Sequence, residues 1–149
     1  MRARTFRFFL NLWPPFAGAG IHVTALAEDY REATVELRHH WYNRNLFGDH
    51  FGGSLYAMTD PFYTLMLIHV LGPEYRVTHA AGSISYLAPA QGTVQARLYI
   101  TDEQIAAIKA ATETGEKHLP QFTADIVDRT GKAVARVTHT PYVRKKAQR

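Results

Sequence analysis

Hydrophobic positions recur along this chain with two different periods. From Gly53 to Leu71 the sequence is almost continuously apolar: Leu55, Met58, Phe62, Leu65, Met66 and His69 fall near one helical face, and Leu67, Val70 and Leu71 fill the others. A helix apolar on nearly all sides has to be buried, so this run predicts a long central helix. On either side of it the period falls toward two. "IHVTALAEDYREATVELRHH" gives two strand-like runs about the polar turn Glu28 to Arg31. After the helix, "GSISYLAPA" and "GTVQARLYI" form a strand pair turned at Pro89 to Gly92, and "QFTADIVDRTGKAVARVTHTPYV" closes as a hairpin about Arg129 to Lys132. Between these pairs, "TDEQIAAIKAATETG" has Thr101 or Asp102 as N-cap, acids in its first turn and Gly115 past its end, the marks of a short surface helix.

The chain opens on "MRARTFRFFLNLWPPFAGAG", where Phe6, Phe9, Leu10 and Trp13 lie at helical spacing. A secretory leader is not expected here, because Arg7 and Asn11 interrupt the apolar part of the segment and Pro14-Pro15 stop it short. An amphipathic helical extension over residues 1–19, laid across the domain, is expected instead. The order of elements predicts an α+β fold, an antiparallel sheet wrapped around one long central helix, in a single domain over residues 1–149.

Composition narrows the chemistry. Hydrophobic residues make up 46% of the chain, enough for a real core. Cysteine is absent, which excludes a disulfide scaffold, a thiol nucleophile and a Cys-based metal site. Nothing requires an oxidising compartment, and a cytoplasmic location is expected. The formal charge of +4 is dispersed and no nucleic-acid recognition motif is present, so no nucleic-acid partner is expected. The densest basic run, "VRKKAQR", reads as a solvated tail. Asp60, Pro61 and His69 inside the apolar run argue against a membrane span, because an acid near a bilayer centre costs about 2.5 kcal/mol or more.

Asp60 is the residue that needs explaining. Read structurally it is an N-cap, since Pro61 suits a first helical position and the residue before a proline is pushed from helical geometry. That reading predicts a break at Thr59-Asp60 with a new helix from Pro61. Read chemically it is a general base, a carboxylate in a partly apolar cleft activating water. Gly52-Gly53 invite the same pair of readings: a tight turn, or a helix start whose unobstructed N–H groups can hold an oxyanion. Gly53 and Asp60 are seven positions apart, about 10 Å along a helix, too far to meet one carbonyl within one chain. A symmetric dimer, with Gly53 of one protomer facing Asp60 of the other, would solve that geometry twice.

The run "NLFGDHFGGSLYAMTD" places Asn45, Gly48, Gly52, Gly53 and Asp60 in the spacing of the hotdog-fold thioesterases, and resembles most the phenylacetyl-CoA thioesterase branch. "SISYLAPAQGTVQARLYI" and "FTADIVDRTGKAVARVTHT" resemble that branch's core strands, so the resemblance runs from about residue 20 onward. The chain also resembles an uncharacterised hotdog group with an "HFGGSLYAMTDP"-like segment. The resemblance implies a hotdog fold, a homodimer or dimer of dimers, no cofactor, and an acyl-CoA or acyl-carrier thioester as substrate. It implies that Gly53 N–H polarises the thioester carbonyl, that Asp60 activates water or attacks, and that Asn45 helps hold the water or its neighbours. Gly52, Phe51 and Tyr56 would line the substrate.

Two positions depart from that pattern. Phe51 stands where the family has histidine, with His50 one residue earlier, and Pro61 follows the acid. His79 falls near where the branch has a small polar residue close to the active site. His39, His40, His69 and His139 receive no role, and the spacing of the eight histidines yields no metal site. Arg44, Arg76, Arg144, Lys145 and Lys146 are the candidates for coenzyme A phosphates. Two other functions fit the same fold: an acyl-thioester binding or regulatory module without turnover, and a hydratase or dehydratase pairing His50 with Asp60.

Overall fold

The computed structural model describes residues 1–147; Gln148 and Arg149, the end of the expected tail, lie outside the described residues. The first hairpin is β1 (Ile21–Leu26) and β2 (Glu32–Leu37), turned through Tyr30, a non-glycine residue at φ 57° whose ring is buried. The central apolar run forms α3 (Gly52–Ala57) and α4 (Phe62–Leu71). Then come β3 (Tyr75–Tyr86), β4 (Val94–Tyr99), α5 (Asp102–Ala111), the two-residue β5 (Lys117–His118), β6 (Phe122–Val127) and β7 (Ala133–Lys145). α5 starts as its sequence demands: Thr101 accepts from the Gln104 amide and Gln104 Oε1 accepts from the Thr101 amide.

All strand pairings are antiparallel, in the order β1-β2-β4-β6-β7-β3, with β5 on β7. Inward residues of alternate phase, among them Val35, Leu98, Ile126 and Val137, bury against Met58, Phe62, Met66 and Leu67. This is the hotdog fold, a sheet wrapped around a helical axis, as the α+β expectation required.

That axis is interrupted. Met58 to Pro61 separate α3 from α4, so the expected break is real, but its cause is not an Asp60 cap: the second helix begins at Phe62 with Pro61 as N-cap, and no side chain caps it. α4 is also less enclosed than its composition suggests. Ile68 and His69 are exposed, and His69 leaves the buried face expected of it to stack on Tyr30 at 3.8 Å between ring centroids.

The two sheet edges are treated differently. α1 (Ala3–Leu12), followed by α2 (Pro14–Ala19), lies along β1. Asn11 donates to the Val23 carbonyl at 3.1 Å and accepts from the Val23 amide at 2.7 Å, and Arg7 donates to the Thr24 carbonyl. The two polar residues that spoil the leader pattern thus cover an edge strand. Only Leu10 of the expected apolar face is buried, Phe6 is half-buried, and Phe9 and Trp13 are exposed. At the other end β3 pairs on one side only among the described residues, and Thr78 to Ser83 are exposed. The basic C-terminal run is not simply a tail: β7 extends through Val143, which is buried, to Lys145. Among the described residues no helix is long and apolar enough to cross a membrane.

Candidate functional site

The expected site residues fall into two clusters on either side of α3. Asn45, His50, Phe51, Gly52 and Gly53 line one cleft of about 610 Å³, closed from across by Tyr86 and Pro89. Within it Asn45 organises the loop: its Oδ1 accepts from the amides of Phe47 (2.9 Å) and Asp49 (3.1 Å). The amides of Gly52 and Gly53 open α3, and neither has a partner among the described residues. Phe51 is exposed and lays its ring over Gly53, 2.7 Å from where a Cβ there would stand. His50, one residue earlier, turns inward and is buried. Its Nε2 donates to the Gly92 carbonyl at 2.5 Å, and burial pushes its pKa down.

The second cluster forms where the helical axis breaks. Asp60 is half-buried there, with Oδ1 3.7 Å from His79 Nε2; the same nitrogen lies 3.4 Å from Tyr56 Oη. His79 reaches this point from β3, where a bulge between His79 and Ala81 shifts the register against β7. Burial, then the nearby Asp60 carboxylate, raises the Tyr56 phenol. Asp60, Tyr56 and His79 thus come together, whereas Asn45, His50, Phe51, Gly52 and Gly53 gather in the other cleft.

One residue of this cluster has no role in the sequence reading. His139 sits on β7 opposite Gly82, fully buried, with its ring 5.5 Å from that of His79. Burial, reinforced by His79 and opposed by Asp60, holds its pKa at about 4. The signal was present in the strand's alternation: Val137, His139 and Val143 share the buried phase of β7, and an imidazole at a core-facing position needs a reason. A third cleft, of about 730 Å³, brings together Arg76, Arg144, Lys145 and Lys146 with Glu113 and Glu116. Arg44 is not part of it.

Residues 2–143 match the family described as Domain of unknown function (DUF4442). The chain belongs to that family. No curated protein matches this DUF4442 chain. Among solved structures it is similar to a Pseudomonas aeruginosa protein of unknown function thought to be a thioesterase, with 15% identity, TM-score 0.83, and 97% of each chain covered. It is similar also to a thioesterase from Haemophilus influenzae (16% identity, TM-score 0.70, 99% of this chain and 94% of that one). A third is a mutant phenylacetic acid degradation protein from Thermus thermophilus (23% identity, TM-score 0.60, 87% and 97% covered). At these identities the likeness establishes the fold of the DUF4442 chain.

Proposed function

We propose that the protein hydrolyses acyl thioesters, with coenzyme A or an acyl carrier as the leaving thiol. The observation that carries this reading is the division of the site: Gly52 and Gly53 amides without a partner among the described residues in one cleft, and Asp60 beside His79 at the helix break, with β3 carrying no strand on its outer edge among those residues. Two copies joined along β3 would bring one protomer's amides to the other's carboxylate. The thioester carbonyl would then accept from Gly53 N–H while charge develops on its oxygen, and Asp60 would deprotonate the attacking water or attack the carbonyl carbon itself. Solved thioesterases of the same fold support the reaction class, and the spacing from Asn45 to Asp60 supports the roles. Arg76, Arg144, Lys145 and Lys146, gathered in one cleft, suit the phosphates of coenzyme A.

The test is hydrolysis of short, long and aromatic acyl-CoA esters by the purified protein and by Asp60→Asn. Turnover of one acyl class is expected, falling by about 10²–10⁴ in the variant at unchanged fold and oligomeric state. Equal rates in both proteins, or a strictly monomeric active form in sedimentation, would overturn the shared-site reading.

A further inference from the structure

The cluster at the helix break holds more donor atoms than a general base needs, and one of them is exposed by simple proton counting. Thr59 Oγ1 lies 3.0 Å from the Tyr56 carbonyl and 2.8 Å from His139 Nε2. A carbonyl only accepts, so the single hydroxyl proton goes to Tyr56, and Thr59 Oγ1 must accept from His139 Nε2–H. The proton of the neutral imidazole is therefore on Nε2, leaving Nδ1 with a bare lone pair. That nitrogen is fully buried and has no partner among the described residues. Leaving a buried acceptor unpaired is unfavourable, and this one sits beside the ligand atoms of Asp60 and His79.

We propose that Asp60, His79 and His139 form a binding site for a divalent transition-metal ion of the Zn²⁺ class. Their three ligand atoms lie within 4.8 Å of one another, with Asp60 Oδ1 and His79 Nε2 at 3.7 Å. Around a tetrahedral zinc, with bonds of about 2.1 Å, neighbouring donors stand roughly 3.4 Å apart. His139 is fixed by its strand and by Thr59; the two partly exposed side chains need only small rotations to close on it. Two imidazoles and one carboxylate are a borderline donor set that favours zinc, cobalt and iron over magnesium or calcium. Thr59 supplies the feature that usually accompanies a metal-bound histidine, a partner on the other ring nitrogen that sets tautomer and orientation. Gly82 keeps the space open: a Cβ there would collide with Tyr56 Oη and stand 3.3 Å from His139 Nδ1. Among the described residues no lysine or arginine pairs with Asp60, so no fixed cation competes for the place.

Binding of the ion stands apart from the thioesterase reading, but its consequence rests on it. A carboxylate coordinated to a cation is withdrawn from nucleophile or base duty, so an occupied site silences hydrolysis. The ion is a regulator of the reaction rather than its catalyst.

The experiment is calorimetric titration of the chelator-stripped full chain with Zn²⁺, and with Mg²⁺ as control, alongside the visible spectrum of the Co²⁺-loaded protein. One Zn²⁺ per chain is expected, with no Mg²⁺ binding and the intense bands of four-coordinate Co²⁺. Affinity should fall about 100-fold in Asp60→Asn and in His79→Ala, whose side chains are partly exposed and whose loss leaves the core intact, and about tenfold in Thr59→Val. His40→Ala should bind as the parent does. Absence of Zn²⁺ binding, or binding unchanged in both Asp60→Asn and His79→Ala, would overturn the site. If acyl-CoA hydrolysis is present, Zn²⁺ should suppress it in proportion to occupancy, and full activity at full occupancy would overturn the regulatory role. If hydrolysis is absent altogether, the thioesterase reading fails while calorimetry still decides the site.

Discussion

His50 and His139 make an instructive pair. Each is a buried imidazole whose Nε2 donates a hydrogen bond, to the Gly92 carbonyl in one case and to Thr59 Oγ1 in the other, and among the described residues each is left with an unpartnered Nδ1. Burial lowers both pKa values. Their neighbourhoods differ. His50 packs at 4.6 Å against His39, whose own nitrogens are both committed, Nε2 to the Gly48 carbonyl and Nδ1 to the Gly92 amide. His139 faces His79 and Asp60, which have few commitments of their own. The lone pair of His50 is thus a tolerated cost of fastening a loop, and that of His139 is one of three donors converging on a point. An unsatisfied buried nitrogen becomes a candidate site through its company.

Acid should separate these roles first. A histidine whose folded pKa lies below its unfolded value binds its proton more readily when unfolded, so stability falls as pH drops below the unfolded value near 6.5. For His139 the loss accumulates between about 6.5 and about 4. At 1.36 kcal/mol per unit this is on the order of 3 kcal/mol by the lower limit. In chelator-stripped protein, His139→Leu should flatten that part of the stability profile measured by urea unfolding, and His50→Leu should flatten a smaller part of it. Parallel profiles for parent and His139→Leu would show that His139 is not held neutral by the fold.

At neutral pH the same two substitutions should rank the other way. His50→Leu removes the donor to the Gly92 carbonyl and is expected to cost about 1–3 kcal/mol. His139→Leu removes an unpaired acceptor and the donor to Thr59 Oγ1, but leaves that hydroxyl still paired by donating to the Tyr56 carbonyl, so the loss should stay below about 1 kcal/mol. Urea midpoints at constant slope measure both. A costly His139→Leu with a cheap His50→Leu would reverse the assignment of structural and functional histidine.

How far the sequence foretold this contrast depends on how local each feature is. The turn from Glu28 to Arg31 and the start of α5 at Thr101 or Asp102 were legible because their signals lie within a few residues. The interruption, expected at Thr59-Asp60, was legible too, since a proline acts on its immediate neighbours. The start of β3 at Tyr75 was not, because most of that strand is exposed and its alternation fades after Val77. β5 is only two residues long and left no pattern to find. The site divides in the same way. Asn45 to Gly53 is one continuous segment and could be read as a unit, whereas Asp60, His79 and His139 are brought together by the helix break, the β3 bulge and the β3–β7 register. Spacing along the chain carries no trace of that meeting.

The smallest expected effect tests the comparison most closely. Tyr56 Oη lies 3.4 Å from His79 Nε2, a long contact, and makes no hydrogen bond to His139 Nδ1. If that nitrogen is free, the hydroxyl contributes little to the fold, and Tyr56→Phe should shift the unfolding free energy by no more than about 0.5 kcal/mol. A loss of about 1 kcal/mol or more in the metal-free protein would mean that the phenol donates to His139 Nδ1 in solution. The lone pair of His139 would then be spent as fully as the nitrogens of His39, and the difference between the two buried histidines would shrink to one of packing.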